Sequence, residues 1–278
     1  MAILSIQSAV AYGFVGNAVA VPALQALGEE VWRVDTVGFS NHPGHGQLSG
    51  DSRPASEIRE ILDGIEALGV MRDCAAVLSG YLGEAATASA VAKAVAAVRR
   101  ANPEALYLLD PVIGDDGRVF VREGVMEAIR DQLLPLSDVV LPNLSELGWL
   151  VAGSIGPLSD ALAGARTLLE RGPSVVVITG VEEKAEIAAY GVSADGIWRA
   201  AAPRRDRRFN GTGDLFAALF TRWFLRSQDL GSALSATVAG LDLVTGETER
   251  RGTKELTIIP VLPRLATTGD RRPAAKIS

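Results

Sequence analysis

The residues with the clearest potential for chemistry form the run Gly211, Thr212, Gly213 and Asp214. Apolar residues recur from Leu215 onward at i, i+1, i+4, i+5 and i+8, which predicts a helix that begins at this run. Backbone N–H groups that converge at a helix N-terminus bind anions. A phosphoryl group could rest on these amides while Asp214 takes a proton from an attacking hydroxyl. The alternative is ordinary capping, with turn glycines and a favourable first-turn charge.

A dense basic segment, Arg204–Arg208, lies directly before that run and is interrupted only by Asp206. Five residues of this composition are typical of a solvated loop. The functional alternative is a clamp on polyphosphate, because guanidinium groups bind phosphate oxygens in pairs.

Seven further residues follow or end short apolar runs that predict strands. They are Ser8, Tyr81, Asp110, Asp115, Asn143, Glu146 and Thr179. Because the carboxyl ends of parallel strands share one edge of a sheet, we expect these residues to face one crevice together with residues 211–214.

Several of these side chains have a structural and a functional interpretation. Asp110 and Asp115 could form Asx turns, or they could supply oxygen atoms to a divalent cation and phosphates. Asn143 and Glu146 match a capping box, or Glu146 could position Mg²⁺-bound water near a nucleotide. Tyr81 could stack on a ligand or pack at the sheet edge.

Strand and helix patterns alternate along the whole chain without a repeat or a linker. The predicted strands cover residues 3–7, 31–37, 75–78, 106–109, 139–142 and 174–180, and the predicted helices cover 18–27, 55–68, 84–101, 158–171, the segment after 211 and 230–247. Two short runs, 186–190 and 196–201, predict an antiparallel hairpin at the sheet edge. The fold class is therefore α/β, a single-domain doubly wound, mostly parallel sheet flanked by helices. We expect this domain to cover residues 1–266, with 267–278 as a loose C-terminal tail.

The loop from Ser40 to Gly46 is rich in Gly, Pro and Asn, so it should lack regular structure. It contains both histidines of the chain, His42 and His45. No cysteine, third histidine or acidic residue accompanies them in the sequence, which argues against a metal site. We expect a mobile flap over a ligand.

The composition restricts the partners of the protein. The chain has 278 residues, a net charge of −6 and one cysteine, Cys74, and it shows no basic face with interleaved aromatics. We therefore expect no nucleic acid partner and no disulfide framework, and a reducing, cytoplasmic location. The N-terminus lacks the features of a signal peptide, and no run reaches the about 18 apolar residues of a membrane span.

Several well-known motifs are absent from the sequence. It contains no Gly-x-x-x-x-Gly-Lys-[Ser/Thr] and no Gly-x-Ser-x-Gly, and residues 8–17 offer only Gly13 and Gly16 where a dinucleotide fingerprint needs three positions. A P-loop nucleotidase, a serine hydrolase of that type and a dinucleotide enzyme are thereby disfavoured. Phosphoryl transfer to a small alcohol fits the remaining residues best.

The segment Asn210–Ala218 resembles the Gly-x-Gly-Asp signature of the ribokinase-like small-molecule kinases. An ordered series of motifs resembles, more narrowly, the pyridoxal kinases of the bacterial PdxY type. These motifs are Ser5-Ile6-Gln7-Ser8, Tyr12-Gly13-x-x-Gly16-Asn17, Val37-x-Phe39-Ser40-Asn41-His42, Ser79-Gly80-Tyr81, Asp110-Pro111-Val112-x-Gly114-Asp115 and Pro142-Asn143-x-x-Glu146.

The resemblance implies that ATP phosphorylates the 5′-hydroxyl of pyridoxal in vitamin B6 salvage, with pyridoxine and pyridoxamine as further substrates to test. It makes Asp214 the base and the amides of Gly211, Thr212 and Gly213 the γ-phosphate cradle. The ring side would comprise Ser8, Pro43, Gly44 and Tyr81, and the nucleotide side Asp110, Leu141, Asn143, Glu146 and Thr179. Asp110, Asp115 and Glu146 would hold Mg²⁺, partly through water. K⁺ as a monovalent cation and a homodimer are also implied.

The sequence departs from this family in three places. Pro43 stands where relatives often have threonine, residues 117–121 contain no cysteine, and Thr179 with Gly180 replaces a more polar or basic pair. These departures affect substrate and nucleotide contacts and leave the reaction class unchanged. A kinase for hydroxymethylpyrimidine or a sugar, and a non-catalytic ligand-binding homologue, are the alternative functions.

Overall fold

A computed structural model describes residues 1–268 and 272–277 of the chain. In this part of the chain the strands are β1 (Ala2–Tyr12), β2 (Glu30–Asn41), β3 (Gly50–Ser52), β4 (Cys74–Ser79), β5 (Leu106–Leu109), β6 (Gly114–Asp115), β7 (Arg118–Val119), β8 (Val139–Val140), β9 (Val175–Glu183), β10 (Glu186–Ser193), β11 (Gly196–Pro203) and β12 (Ala275–Lys276). The helices are α1 (Asn17–Ala26), α2 (Ala55–Ala67), α3 (Thr87–Ala101), α4 (Val125–Ala128), α5 (Leu144–Val151), α6 (Leu158–Leu169), α7 (Thr212–Ser227), α8 (Leu230–Arg251) and α9 (Leu262–Leu265). None of these described helices combines the length and the apolar character needed to cross a membrane.

Ten of the strands form one sheet, in the order β12-β11-β10-β9-β8-β5-β4-β1-β2-β3. The strands from β9 to β2 pair in parallel, while β10, β11 and β12 at one edge and β3 at the other pair antiparallel. The chain starts at β1, moves outward to β2 and then returns past β1 to β4. The winding therefore reverses beside β1, which places a crevice at the carboxyl ends of these strands. The predicted doubly wound, mostly parallel sheet and its antiparallel edge hairpin are confirmed.

Helices cover both faces of the sheet. Helices α2, α3, α5 and α6 pack on one face, and α1, α7 and α8 pack on the other. Along β1, the buried side chains of Leu4 and Ile6 point to the first layer and that of Ile3 points to the second. Because the central strands are buried on both faces, the sequence shows continuous apolar runs there instead of alternation.

The structure extends two predicted strands toward the crevice. β1 continues to Tyr12, where it pairs with Asn41 of β2, and its register shifts between Gln7 and Ala9. Ser8 therefore lies inside the strand at this irregularity and not after its end. β2 likewise includes the first part of the expected flap, because its long pairing with β1 outweighs the weak local preference for strand.

The C-terminal segment also differs from the loose tail that the sequence suggested. Ala275 and Lys276 pair with Arg199 and Trp198 at the free edge of β11, and the Lys276 ammonium lies 5.0 Å from the Trp198 ring centroid. Arg272 forms an ion pair of 2.7 Å with Asp242 of α8. An unpaired strand edge offers backbone partners to a segment without any helical or strand periodicity of its own. Residues 269–271 and 278 lie outside the described residues.

Candidate active site

The floor of the crevice begins at the N-terminus of α7. Gly211 is the residue that precedes the helix, with φ of 83°, and a Cβ at this position would overlap the carbonyl oxygen of Phe14. Glycine is thus required both for the left-handed backbone and for the close approach. Gly213, by contrast, is exposed and has open space around it. The first turn of α7 therefore has free volume beside Gly213, and backbone N–H groups at a helix N-terminus can bind an anion there.

Asp214 lies in the first turn of α7, half-buried beneath this free volume. Its carboxylate accepts hydrogen bonds from its own N–H and from the N–H of Gly16, which immediately precedes α1. Burial raises the pKa of Asp214, and the two amide bonds oppose that shift. A carboxylate with a raised pKa, held by backbone groups, is suited to accept a proton.

Ser8 is brought to the same place by a close backbone approach. A Cβ at Gly16 would overlap both the hydroxyl and the carbonyl oxygen of Ser8, and Gly16 has φ of 53°. The buried Ser8 therefore packs against Gly16, the residue whose N–H binds Asp214. Gly16 thus connects Ser8 to Asp214 of the 211–214 run.

A polar network under this turn fixes its position. Asn17, the first residue of α1, is fully buried and accepts a hydrogen bond of 2.7 Å from the Ser5 hydroxyl. Its amide donates to the Val34 carbonyl at 3.0 Å and to the Asp35 carboxylate at 2.8 Å. The Gln7 amide donates in turn to Ser5 at 2.8 Å. These hydrogen bonds give Ser5, Gln7 and Asn17 a structural role, which explains their presence in the sequence motifs without any contact with substrate.

Asp110 lies close enough to the carboxylates of Asp214 and Glu146 for their charges to act on it. Burial, the carboxylate of Glu146 and that of Asp214 raise the pKa of Asp110 well above its usual range. Burial likewise raises the pKa of Glu146, although backbone N–H groups that donate to it act in the opposite direction. No lysine, arginine or histidine of the described residues forms an ion pair with any of the three. Uncompensated buried carboxylates of this kind are stabilised by a bound cation.

Glu146 is also a structural residue. The predicted capping box is confirmed: Asn143 accepts from the Glu146 N–H at 2.9 Å, and Glu146 accepts from the Asn143 N–H at 3.0 Å. Its other oxygen accepts from the Ile113 N–H at 2.9 Å. Glu146 therefore connects the start of α5 to the turn after Asp110, and few of its lone pairs remain for direct metal ligation.

The nucleotide-side residues of the resemblance lie along neighbouring strand ends. Asn143 donates to the Gly114 carbonyl at 2.8 Å and forms a parallel bridge with Thr179. Leu141 is buried, and its N–H donates to the Leu109 carbonyl. The half-buried Thr179 and its exposed neighbour Gly180 end the apolar part of β9. These residues occupy the side of the crevice away from β1.

Asp115 does not belong to the buried carboxylate cluster. It lies in the hairpin of β6 and β7, its side chain is 61% exposed, and its carboxylate is 3.8 Å from Arg208. Among the described residues, no three acidic, histidine or cysteine side chains are arranged to hold one metal ion. Mg²⁺ commonly keeps several waters and binds through one or two carboxylates plus substrate phosphates, and Asp110 with Glu146 fits that mode.

The flap, defined here as residues 42–46, contains more order than its composition suggested. Pro43–His45 form a 3₁₀ turn that His42 caps, because its Nδ1 accepts from the Gly44 N–H at 3.1 Å. Burial lowers the pKa of His42, which favours the neutral imidazole that this bond requires. A Cβ at Gly44 would lie 3.3 Å from the Asn210 amide, so the flap approaches the α7 N-terminus. Pro43 and Gly44 are exposed.

Tyr81 lies at the carboxyl end of β4 and is half-buried. Its carbonyl accepts a hydrogen bond of 2.5 Å from the Thr36 hydroxyl, which fixes the backbone beneath the ring. Burial raises the pKa of the Tyr81 phenol, so the neutral form predominates. A neutral aromatic ring fixed in this way can stack on a planar ligand.

The basic segment 204–208, termed the arginine loop, is held by ion pairs. Arg205 pairs with Asp242, and with Glu249 at 3.1 Å, which anchors the loop to α8. Arg208 pairs with Asp116 at 2.6 Å and with Glu182 at 2.9 Å, which joins the β6–β7 hairpin to β9. The solvated-loop interpretation is thus too simple, because it omits these ion pairs. The acidic partners lie too far from the arginine loop in the sequence to be inferred from a local pattern.

Sequence reasoning also missed Glu255, whose carboxylate lies 2.6 Å from Nε2 of His45. This glutamate supplies the acidic partner of the histidines that the sequence did not reveal. Gly16 was visible in the sequence as part of a family motif. Its hydrogen bond to Asp214, however, can be seen only in the folded structure. Glu255 had no signal at all, since its partners lie more than 200 residues away in the chain.

The phosphomethylpyrimidine kinase family model matches residues 56–245. A pyridoxal kinase PdxY of Rubrobacter xylanophilus is 41% identical over 282 residues, which covers 99% of this chain and 97% of the relative. The corresponding protein of Deinococcus radiodurans is 44% identical over 92% of this chain and 90% of its own length. The structure of pyridoxal kinase from Leishmania donovani in complex with ADP and ginkgotoxin is similar over 100% of this chain and 99% of that one, with a TM-score of 0.92 and 31% identity. The chain therefore belongs to the phosphomethylpyrimidine kinase family and, within it, groups with the pyridoxal kinases.

Proposed function

We propose that this protein transfers the γ-phosphoryl group of ATP to the 5′-hydroxyl of pyridoxal, and also to that of pyridoxine and pyridoxamine. The observation that carries the proposal is the position of Asp214. Its carboxylate accepts hydrogen bonds from its own N–H and from that of Gly16, and Gly16 in turn packs against Ser8. Relatives of 41% and 44% identity named pyridoxal kinase support the choice of alcohol.

In the proposed reaction, the substrate hydroxyl oxygen attacks the γ-phosphorus and the bond from that phosphorus to the ADP oxygen breaks. Asp214 accepts the hydroxyl proton. The amides of Gly211, Thr212 and Gly213 stabilise the charge on the phosphoryl oxygens. Ser8 donates to a polar edge of the pyridine ring, Tyr81 stacks on the ring, and Pro43 with Gly44 exclude water from above.

Asp110 and Glu146 are the residues that would hold Mg²⁺, through water and through the nucleotide phosphates, and Asp115 would approach from the hairpin. When bound, the ion neutralises charge on the β- and γ-phosphates. Leu141, Asn143 and Thr179 would line the nucleotide side. A K⁺ requirement would appear as loss of turnover when K⁺ is replaced by a large organic cation at constant ionic strength.

The buried free Cys74 is consistent with a reducing compartment, and we propose a cytoplasmic location and a homodimer. Sedimentation velocity tests the oligomeric state directly. A species of the monomer mass at micromolar concentration would contradict the dimer.

The test of the proposed function is ADP release from ATP with each of the three B6 vitamers, and with hydroxymethylpyrimidine as the competing alcohol. Hydroxymethylpyrimidine is included because the matching family model is that of phosphomethylpyrimidine kinase. We expect the largest kcat/KM with a B6 vitamer. Turnover restricted to hydroxymethylpyrimidine would replace the proposal, and no turnover with any alcohol would support a ligand-binding homologue.

A further inference from the structure

Glu255 lies outside the proposed machinery, yet its carboxylate contacts two separate parts of the crevice. One oxygen is 2.6 Å from Nε2 of His45 in the flap. The other accepts a hydrogen bond of 3.3 Å from the Phe14 N–H. The side chain is only 12% exposed, and a Cβ at Gly13 would overlap it. The carboxylate is therefore enclosed between the flap and the turn that joins β1 to α1.

The backbone of Phe14 connects Glu255 to the floor of the site. Its N–H donates to Glu255, and its carbonyl oxygen lies directly against Gly211 at the start of α7. Two residues later, the Gly16 N–H donates to the Asp214 carboxylate. One short turn thus contacts the flap anchor, the phosphate cradle and the proposed base.

The flap itself is held by His45 on the same side. The His45 ring packs edge-on against Tyr12, with ring centroids 5.6 Å apart. The neighbouring Gly44 approaches the Asn210 amide. The pair of His45 and Glu255 is a polar side-chain contact between the flap and the segment after α8, and the two side chains are 24% and 12% exposed.

We infer that Glu255 is a positioning residue that couples the closed flap to the α7 N-terminus. His45 holds one carboxylate oxygen and the Phe14 peptide holds the other, so flap closure and the position of the phosphate cradle share one anchor. The inference rests on the proposed function, because that function makes the flap the cover of the alcohol substrate. It differs from that function in assigning a role to a residue that contacts neither substrate nor phosphate.

Because Glu255 has two partners, substitution of His45 and substitution of Glu255 should have different effects on KM and kcat. His45→Ala removes only the flap contact, so KM for pyridoxal should rise about tenfold, the loss expected for one hydrogen bond to a charged group, while kcat stays within twofold. Glu255→Ala removes both contacts, so the same rise in KM should be accompanied by a fall in kcat of about fivefold or more. In the double variant, KM should lie close to that of Glu255→Ala alone, because the two residues form one contact and His45 adds only its edge-on packing against Tyr12.

The matched control is Glu247→Ala. Its side chain has nearly the same burial, 13% exposed, and its carboxylate pairs with Arg250 and Arg251 within α8. We expect its KM and kcat to stay within twofold of the starting protein. Glu255→Gln, which preserves the shape of the side chain, replaces Glu255→Ala if the latter does not fold. Additive changes in the double variant, or a Glu255 variant that behaves like the control, would overturn the inference.

Amide hydrogen exchange of the ligand-free protein separates this inference from the proposed function. Glu255→Ala should accelerate exchange of residues 42–46 and of Phe14 by about fivefold or more, and His45→Ala should accelerate only the flap. Unchanged exchange at Phe14 in Glu255→Ala would contradict the coupling even if the enzyme turns over normally. Absence of turnover with every B6 vitamer would contradict the function and leave the exchange result to decide the coupling.

Discussion

The floor and the rim of the crevice are held by different forces. On the floor, Gly16 and Gly211 allow backbone atoms to approach so closely that a single added carbon would overlap a carbonyl oxygen. On the rim, the arginine loop and the β6–β7 hairpin are joined by ion pairs such as that of Arg208, whose side chain is 64% exposed. Exposed ion pairs contribute little and weaken with salt, whereas close packing tolerates almost no displacement. The difference indicates a rigid catalytic floor beneath an adjustable rim.

The largest effect on turnover should come from the floor carboxylate. Asp214→Asn keeps the shape of the side chain but removes the proposed proton acceptor, so kcat should fall by at least about 10²-fold, the range of a positioned general base. Steady-state ADP release measures the fall in kcat, and the thermal midpoint should not fall, because a half-buried negative charge is removed. A kcat within about threefold of the original protein would contradict the assigned role.

The next largest effect, on stability, should distinguish the two glycines at the start of α7. Gly211→Ala introduces a Cβ at φ of 83° and against the Phe14 carbonyl, so we expect a loss of stability of about 2 kcal/mol or more. Gly213→Ala is the matched control for stability, because the space around Gly213 is open. Thermal unfolding of both variants measures the difference. Equal midpoints for the two would show that the floor is not close-packed as described.

A pH-dependent effect follows from the buried carboxylates. The pKa of Asp110 in the folded protein is raised, so the folded state binds this proton more tightly than the unfolded state. Stability should therefore fall as pH rises above the unfolded pKa of about 3.9, and the loss should be complete above the folded pKa. Asp110→Asn removes this cost and should raise the thermal midpoint at pH 8 by ~2–4 °C, the shift for about 1 kcal/mol in a protein of this size.

The measurement compares ligand-free, metal-free protein at pH 8 and pH 4, where the gain should be much smaller because the acid is protonated in the folded state and about half protonated in the unfolded state. Asp131→Asn is the control, since its exposed carboxylate pairs with Arg130 and its pKa is lowered. The same variant pair should show lower turnover only for Asp110→Asn. A lower midpoint for Asp110→Asn at pH 8 would contradict an uncompensated carboxylate cluster.

The smallest effect should come from the rim. Arg208→Gln releases the hairpin from β9 but leaves the floor intact, so KM for ATP should change by only about two- to fivefold and the thermal midpoint by about 1 °C or less. Raising the salt concentration should reduce the difference between the variant and the original protein. Arg207→Gln removes the same charge but breaks no ion pair with a described residue, and it serves as the control. A loss as large as that of Asp214→Asn would remove the distinction between floor and rim.

Much of the fold followed from local patterns. Strands with apolar residues on both faces appeared as continuous runs, and their order of alternation with helices predicted the doubly wound sheet. The capping box of Asn143 and Glu146 was also visible, because its two residues are three positions apart. The extension of β1 through Ser8 was not, since it depends on the pairing of β1 with β2.

By itself, the sequence determined the α/β class, the helix start at Gly211 and the family motifs, because these depend on residue types within a few positions of one another. Only the tertiary structure decided which polar and charged groups from distant parts of the chain meet. Phe14 and Glu255 are separated by 241 positions, and Arg208 and Asp116 by 92. Such contacts are set by the order of strands in the sheet and by the close approach of turns at its edge, which no local pattern encodes. The carboxylate beside Asp214 and the anchor of the flap are therefore products of the fold.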